Sequence, residues 1–220
     1  MPDKQKVLAA LRATSLIAVI RTDNPGDLVG AACALREGGV QLIEITMTVP
    51  GALSIIQVAA AQLKNDGVYI GAGTVLDAET ARAVILAGGA FAVAPIFSPA
   101  MVTLCNRYGV TVMAGAFTPQ EIFTAWEGGS DVVKVFPAGI GGPGYIKSIK
   151  EPLPQIEILP TKGVSLLNIP EYIKAGAIGV GVGRELISND LIQSRDFKQI
   201  KENAEKFIRV IQAAKAEMRP

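Results

Sequence analysis

A chain of 220 residues, half of them hydrophobic, with 21 basic against 20 acidic side chains, has enough apolar surface for one buried core and no net field for gripping nucleic acid or an anionic bilayer. It contains no histidine, which removes the usual general base, the Ser-His-Asp and Cys-His nucleophile systems and every His-containing zinc site. Catalysis would have to run on Lys, Glu, Asp, Arg, Tyr, Cys or a cofactor.

The N-terminal stretch MPDKQKVLAALRATSLIAVI has the apolar spacing of a short amphipathic helix over about Lys4 to Arg12 and lacks the small-residue cleavage site of a signal peptide. No apolar run approaches the roughly 20 residues that cross a bilayer, so a cytoplasmic setting is expected. The strand LIAVI follows Ser15, and Asn24-Pro25 then offers a capping side chain before a helical proline. After it comes EGGVQLIEI, a helix ending in glycine that leads into a β-branched run. The same joint recurs as AGGAFAVAP, EGGSDVVKV and AGAIGVGV, with first glycines at Gly38, Gly88, Gly128 and Gly176. A glycine that ends a helix is expected to take the left-handed conformation, and the apolar run behind it reads as a strand buried on both faces.

Further strands are VYIGAG after Gly67, VTVMAG after Gly109 and IEILPT after Gln155. Helix starts stand at Ser98-Pro99 and Thr118-Pro119, the latter with Glu121 completing a capping box. Phe197, Ile200, Ala204, Phe207, Ile208 and Ile211 mark an amphipathic closing helix. Cys33 and Cys105, alone in apolar helical contexts, read as buried free thiols. Eight evenly spaced βα units predict a (β/α)8 TIM barrel with a short N-terminal helix, a single domain over residues 1–220; an open doubly wound sheet is the alternative.

In parallel α/β folds, function gathers where strands end. Lys134 lies in the apolar run DVVKVFP and shares a strand face with Val132 and Phe136. Lysine is seldom buried without a partner, and desolvation favours the neutral amine that attacks a ketone to form a Schiff base. A structural ion pair, or a lysine reaching for the rim, is the alternative. Glu44 in QLIEITMT shares parity with Leu42 and Thr46. A carboxylate beside a buried lysine can move protons in the absence of histidine, or serve only as its counter-ion. The turns GAGT (71–74), TKGVS (161–165) and GVGRE around Gly183 could offer backbone N–H groups to a carboxylate or phosphate, or be simple tight turns.

Taken together, EITMT, GAGTVLD, the Ala94-Pro95 pair, VKVFPA, PTKG and GVG occur in the order and spacing of one family. From about Ile17 to Leu186 the chain resembles the 2-keto-3-deoxy-6-phosphogluconate aldolase and 4-hydroxy-2-oxoglutarate aldolase family, class I (β/α)8 lyases. The resemblance implies an aldehyde-lyase of carbohydrate metabolism that releases pyruvate and an aldehyde from a 2-keto-4-hydroxy acid. It implies no metal or organic cofactor, no nucleic-acid or membrane partner, and a homotrimer. By the same resemblance Lys134 is the Schiff-base lysine and Glu44 the proton shuttle, Thr74 and Thr161 supply hydroxyls, and Pro95 and Phe136 form apolar walls. The chain departs from the family pattern at Thr48, where well-known members carry an arginine that binds the substrate carboxylate; Arg21 at the end of strand one is the candidate replacement. It departs again in the Gly163 and Gly183 turns, where Lys162 and Arg184 stand at positions usually held by Gly and Ser, and these two point to a second anion on the substrate. The competing readings are a phosphosugar isomerase or epimerase using Glu44 as base, and a catalytically silent sugar-acid binding protein.

Overall fold

The computed structural model describes residues 3–218, so Met1-Pro2 and Arg219-Pro220, the ends of the expected 1–220 domain, lie outside the described residues. In chain order the elements are α1 (Lys4–Thr14), β1 (Leu16–Ile20), α2 (Leu28–Glu37), β2 (Leu42–Thr46), α3 (Ala52–Gln62), β3 (Tyr69–Gly73), α4 (Ala78–Leu86), β4 (Phe91–Val93), α5 (Pro99–Arg107) and β5 (Thr111–Ala116). They continue as α6 (Pro119–Glu127), β6 (Val132–Val135), α7 (Gly142–Lys150), β7 (Ile158–Pro160), α8 (Ile169–Lys174), β8 (Val180–Val182), α9 (Asn189–Gln193) and α10 (Phe197–Ala216).

All eight strands are parallel, in the order β7-β6-β5-β4-β3-β2-β1-β8, and the ring closes where Thr161 bridges Gly181 and the Ile178 N–H donates to the Ile158 carbonyl at 3.0 Å. The expected (β/α)8 barrel is therefore the fold. Strand alternation divides the core in two. Ile43, Ile45, Val133 and Val135 face outward into the layer shared with the helices, while Leu42, Phe91, Met113, Val132 and Leu159 fill the barrel interior. Val7, Leu8 and Leu11 of α1 join that inner cluster. α1 thus plugs the N-terminal mouth, tied down by Lys4 Nζ at 2.9 Å from Asp131 Oδ2, and only the opposite mouth stays open. Among the described residues no helix is long and apolar enough to cross a membrane.

Local chemistry follows the expected caps at two of three sites. Ser98 accepts from the Met101 N–H at 3.5 Å, and Thr118 with Glu121 forms the full capping box. Asn24, however, caps nothing. α2 starts at Leu28 and is capped by Asp27, whose Oδ1 accepts from the Gly30 N–H at 2.7 Å. Cys105 is buried, which pushes its thiol up to about 11, but Cys33 is only half-buried and accepts a hydrogen bond from Gln62.

The helix-ending glycines also need correction. Gly88 and Gly176 are left-handed as expected, but in the two EGG joints the left-handed residue is the second glycine, Gly39 (φ 93°) and Gly129 (φ 94°). Gly38, at φ −80°, is there for space: a Cβ on it would collide with the Ala204 side chain and lie 2.7 Å from the Lys201 carbonyl oxygen, both on α10. Gly38→Ala should therefore lower unfolding free energy by roughly 1–3 kcal/mol, the usual cost of forcing a methyl into a closed contact. Urea unfolding measures it, and an unchanged midpoint would mean that α10 is not seated on α2 at this point.

Candidate active site

Two charged side chains enter the barrel interior from opposite sides of the ring. Glu44 on β2 is registered with Val19 of β1 and Gly71 of β3, and Lys134 on β6 with Gly115 of β5 and Leu159 of β7. Both follow an inward apolar residue two positions earlier, Leu42 and Val132, so alternation carries them inward one layer nearer the open mouth. Glu44 is 2% exposed and Lys134 6%.

Room for them comes from glycine on the inward face. A Cβ at Gly73 would overlap the Glu44 carboxylate, one at Gly115 would strike the Pro95 backbone, and one at Gly181 would sit 2.5 Å from Thr161 Oγ1. Gly181 lines a cavity of about 490 Å³ at the C-terminal mouth, the size of an ordinary small-molecule site.

Electrostatics inside are one-sided. Burial pushes the Glu44 carboxyl above the ordinary 4.5, with the charges of Lys134 and Arg21 pulling it part of the way back. Lys134 makes no direct ion pair with it; its ammonium lies 5.5 Å from the centre of the Phe136 ring, close enough for a cation–π attraction. Thr161 Oγ1 is buried in the cavity wall and has no hydrogen-bond partner, which leaves a polar group whose desolvation nothing in the fold offsets.

Of the residues singled out from the sequence, Glu44, Lys134, Phe136 and Thr161 line this cavity, and so do Arg21, Lys162, Gly163, Gly183 and Arg184 around its rim. Thr74 is joined to it through Arg21, whose Nη2 donates to Thr74 Oγ1 at 2.9 Å. Thr74 (φ 57°) and Lys162 (φ 71°) both take the left-handed conformation, as Ser15 and Arg195 do away from the cavity. Two of the singled-out residues lie elsewhere. Thr48 is exposed, hydrogen-bonded to Thr46 at 2.9 Å, and lies outside the cavity wall. Pro95 lines a neighbouring hollow with Ile96, Phe97 and Phe117, and Phe136 separates the two spaces. Val19, Glu185 and Asn189 also line the cavity and were not singled out. Val19 was legible, since it is the register neighbour of Glu44.

The arrangement, a buried amine and a buried carboxylate around a cavity with cations at its rim, suits a carbonyl compound bearing negative charge. Residues 7–203 match the family model described as KDPG and KHG aldolase. The chain is 31% identical over 206 residues to the 2-dehydro-3-deoxy-phosphogluconate aldolase of Treponema pallidum, covering 93% of this chain and 97% of that one. It is 34% identical over 172 residues to the 2-dehydro-3-deoxy-6-phosphogalactonate aldolase of Escherichia coli, covering 78% and 83%. Among solved structures it superposes, with a TM-score of 0.83 and 26% identity over 90% of this chain and 96% of the other, on a KDPG aldolase from Legionella pneumophila with pyruvate captured as a covalent carbinolamine intermediate.

The raised Glu44 carboxyl makes a pH-dependent prediction. Folding draws a proton onto this group between its unfolded value, about 4.3, and its higher folded value. That stabilisation is complete below the unfolded value and is lost as pH rises through the folded one. Wild type should therefore lose stability relative to Glu44→Gln as pH rises from about 4, with the difference levelling off above the folded value. Urea unfolding across this range checks it; a constant difference would show that burial does not govern Glu44.

Proposed function

Since the chain belongs to the KDPG and KHG aldolase family, we propose that it cleaves a phosphorylated 2-keto-3-deoxy sugar acid to pyruvate and an aldehyde through a Schiff base on Lys134. The observation that carries this reading is a buried lysine across one cavity from a buried carboxylate. Of the two lysines that line the cavity, Lys162 is exposed and Lys134 is not.

The chemistry follows from those two groups. The Lys134 amine adds to the C2 carbonyl, and loss of water from the carbinolamine gives a protonated imine that serves as electron sink. Glu44 takes the proton from the C4 hydroxyl, the C3–C4 bond breaks, its electron pair becomes the enamine, and the aldehyde leaves. Glu44 then returns a proton to C3, and water releases pyruvate and the free amine. A carboxyl raised by burial holds that proton between the two steps more readily than an exposed one.

Binding roles follow from position. Arg21, held by Thr74, reaches the cavity that Glu44 lines and is assigned the carboxylate at C1. The unpartnered Thr161 hydroxyl is available to a substrate hydroxyl. At the rim Lys162 and Arg184 bring two positive charges against the one negative charge of Glu185. Among the described residues, the backbone N–H groups of Gly163, Val164, Arg184 and Glu185 donate to no other group. That combination favours a distal phosphate or carboxylate. A cytoplasmic homotrimer completes the proposal. Free thiols at Cys33 and Cys105 and exposed Ile96, Ile140 and Leu167 in the connections that follow β4, β6 and β7 are consistent with it.

Pyruvate release from phosphorylated and unphosphorylated 2-keto-3-deoxy acids tests the reading. The phosphorylated form should have the higher kcat/KM, and Arg184→Ser should lower it by roughly tenfold or more, as loss of a charge-assisted hydrogen bond predicts, while leaving the unphosphorylated form unchanged. Glu44→Gln should lower turnover by roughly 100-fold. Equal kcat/KM for the two forms in wild type would remove the distal anion, and full turnover in Glu44→Gln would reduce that residue to a counter-ion.

A further inference from the structure

Arg21 stands one residue beyond β1 on a segment, residues 21–27, that forms neither helix nor strand. Its guanidinium is fixed at one end by Thr74, but the backbone that carries it needs its own anchor. That anchor lies almost at the other end of the chain. Asn24 Nδ2 donates to Gln193 Oε1 at 2.8 Å and Gln193 Nε2 donates back to the Asn24 carbonyl at 2.8 Å, a reciprocal amide pair. The same carbonyl accepts from the hydroxyl of buried Thr22 at 2.9 Å. A second tie runs parallel to it: Arg195 Nη2 donates to Asp27 Oδ2 at 2.5 Å, and Asp27 is the residue that starts α2.

Gln193 ends α9; Asn189, its first residue, and Arg184, on the segment leading into it, are both on the cavity wall. Two of the three loops that bring cations to the cavity, those carrying Arg21 and Arg184, are thus stapled to each other rather than to the barrel alone. Neither Asn24 nor Gln193 lines the cavity, so neither is placed to touch substrate. We propose that the Asn24–Gln193 amide pair is a positioning device that sets Arg21 against the substrate carboxylate and keeps it in register with Arg184. This rests on the assignment of Arg21 to the C1 carboxylate. A cation held at a fixed place binds an anion without first losing loop freedom, so the pair should act on substrate affinity more than on turnover.

The test is steady-state kinetics on Gln193→Ala, Asn24→Ala, Arg21→Ala and the double variant Arg21→Ala/Gln193→Ala, with thermal midpoints measured alongside. Gln193→Ala and Asn24→Ala should each raise KM by roughly three- to tenfold with kcat within about twofold, and Gln193→Ala should have no further effect on KM once Arg21 is gone. A lowered thermal midpoint with unchanged KM, or a KM increase of the same size in the Arg21→Ala background, overturns the proposal and leaves the pair a structural staple. An unchanged KM in Arg21→Ala itself overturns the carboxylate assignment, and the positioning role with it.

Discussion

Burial of two opposite charges in one barrel interior is the constraint around which the rest of the molecule is arranged. Lys134 and Glu44 are 6% and 2% exposed and do not meet in an ion pair. The attraction of Lys134 and Arg21 leaves Glu44 still raised by burial. A fold that stores this cost must hold the groups from strands, since a loop would relax and let water in. β2 and β6 do so from across the ring, and both groups line the cavity.

The surrounding architecture serves that space from two sides. Below it, Phe91, Met113, Val132 and Leu159 pack against α1, which closes the N-terminal mouth and denies water a second route. Above it, the inward faces of β3, β5 and β8 carry Gly73, Gly115 and Gly181, whose missing Cβ atoms leave room for the Glu44 carboxylate, the Pro95 backbone and the Thr161 hydroxyl. Arg21, Lys162 and Arg184 stand beyond strand ends, where side chains can change without disturbing the barrel.

Much of this was legible in the sequence, because the informative residues break a local pattern. A lysine inside DVVKVFP and a glutamate inside QLIEI interrupt strands that are otherwise apolar, and alternation alone sends both inward. The recurrent glycine joint located the strands for the same reason: a backbone requirement leaves a residue-level mark. What escaped depends on partners far away in the chain. Asn24 has the chemistry of a cap, yet Gln193 takes its amide, and no local rule distinguishes the two uses. Gly38 precedes a left-handed glycine but answers to α10, an element more than 150 residues later. Thr48 and Pro95 follow strand ends, and the direction a loop takes there is set by tertiary packing rather than by strand alternation. Gly73 and Gly181 carried a usable signal, since each lies on the inward parity of its own strand, but a glycine-rich strand end reads equally as a turn.

The account turns on Lys134 being the residue that bonds to substrate. Incubation with pyruvate followed by borohydride reduction, proteolysis and mass spectrometry tests it directly, because reduction makes any imine permanent at the lysine that formed it. The account predicts one reduced pyruvyl group per chain, on the peptide containing Lys134, and none on Lys162 although that side chain lines the same cavity. An unmodified Lys134 peptide at saturating pyruvate, or modification at Lys162 instead, would contradict it.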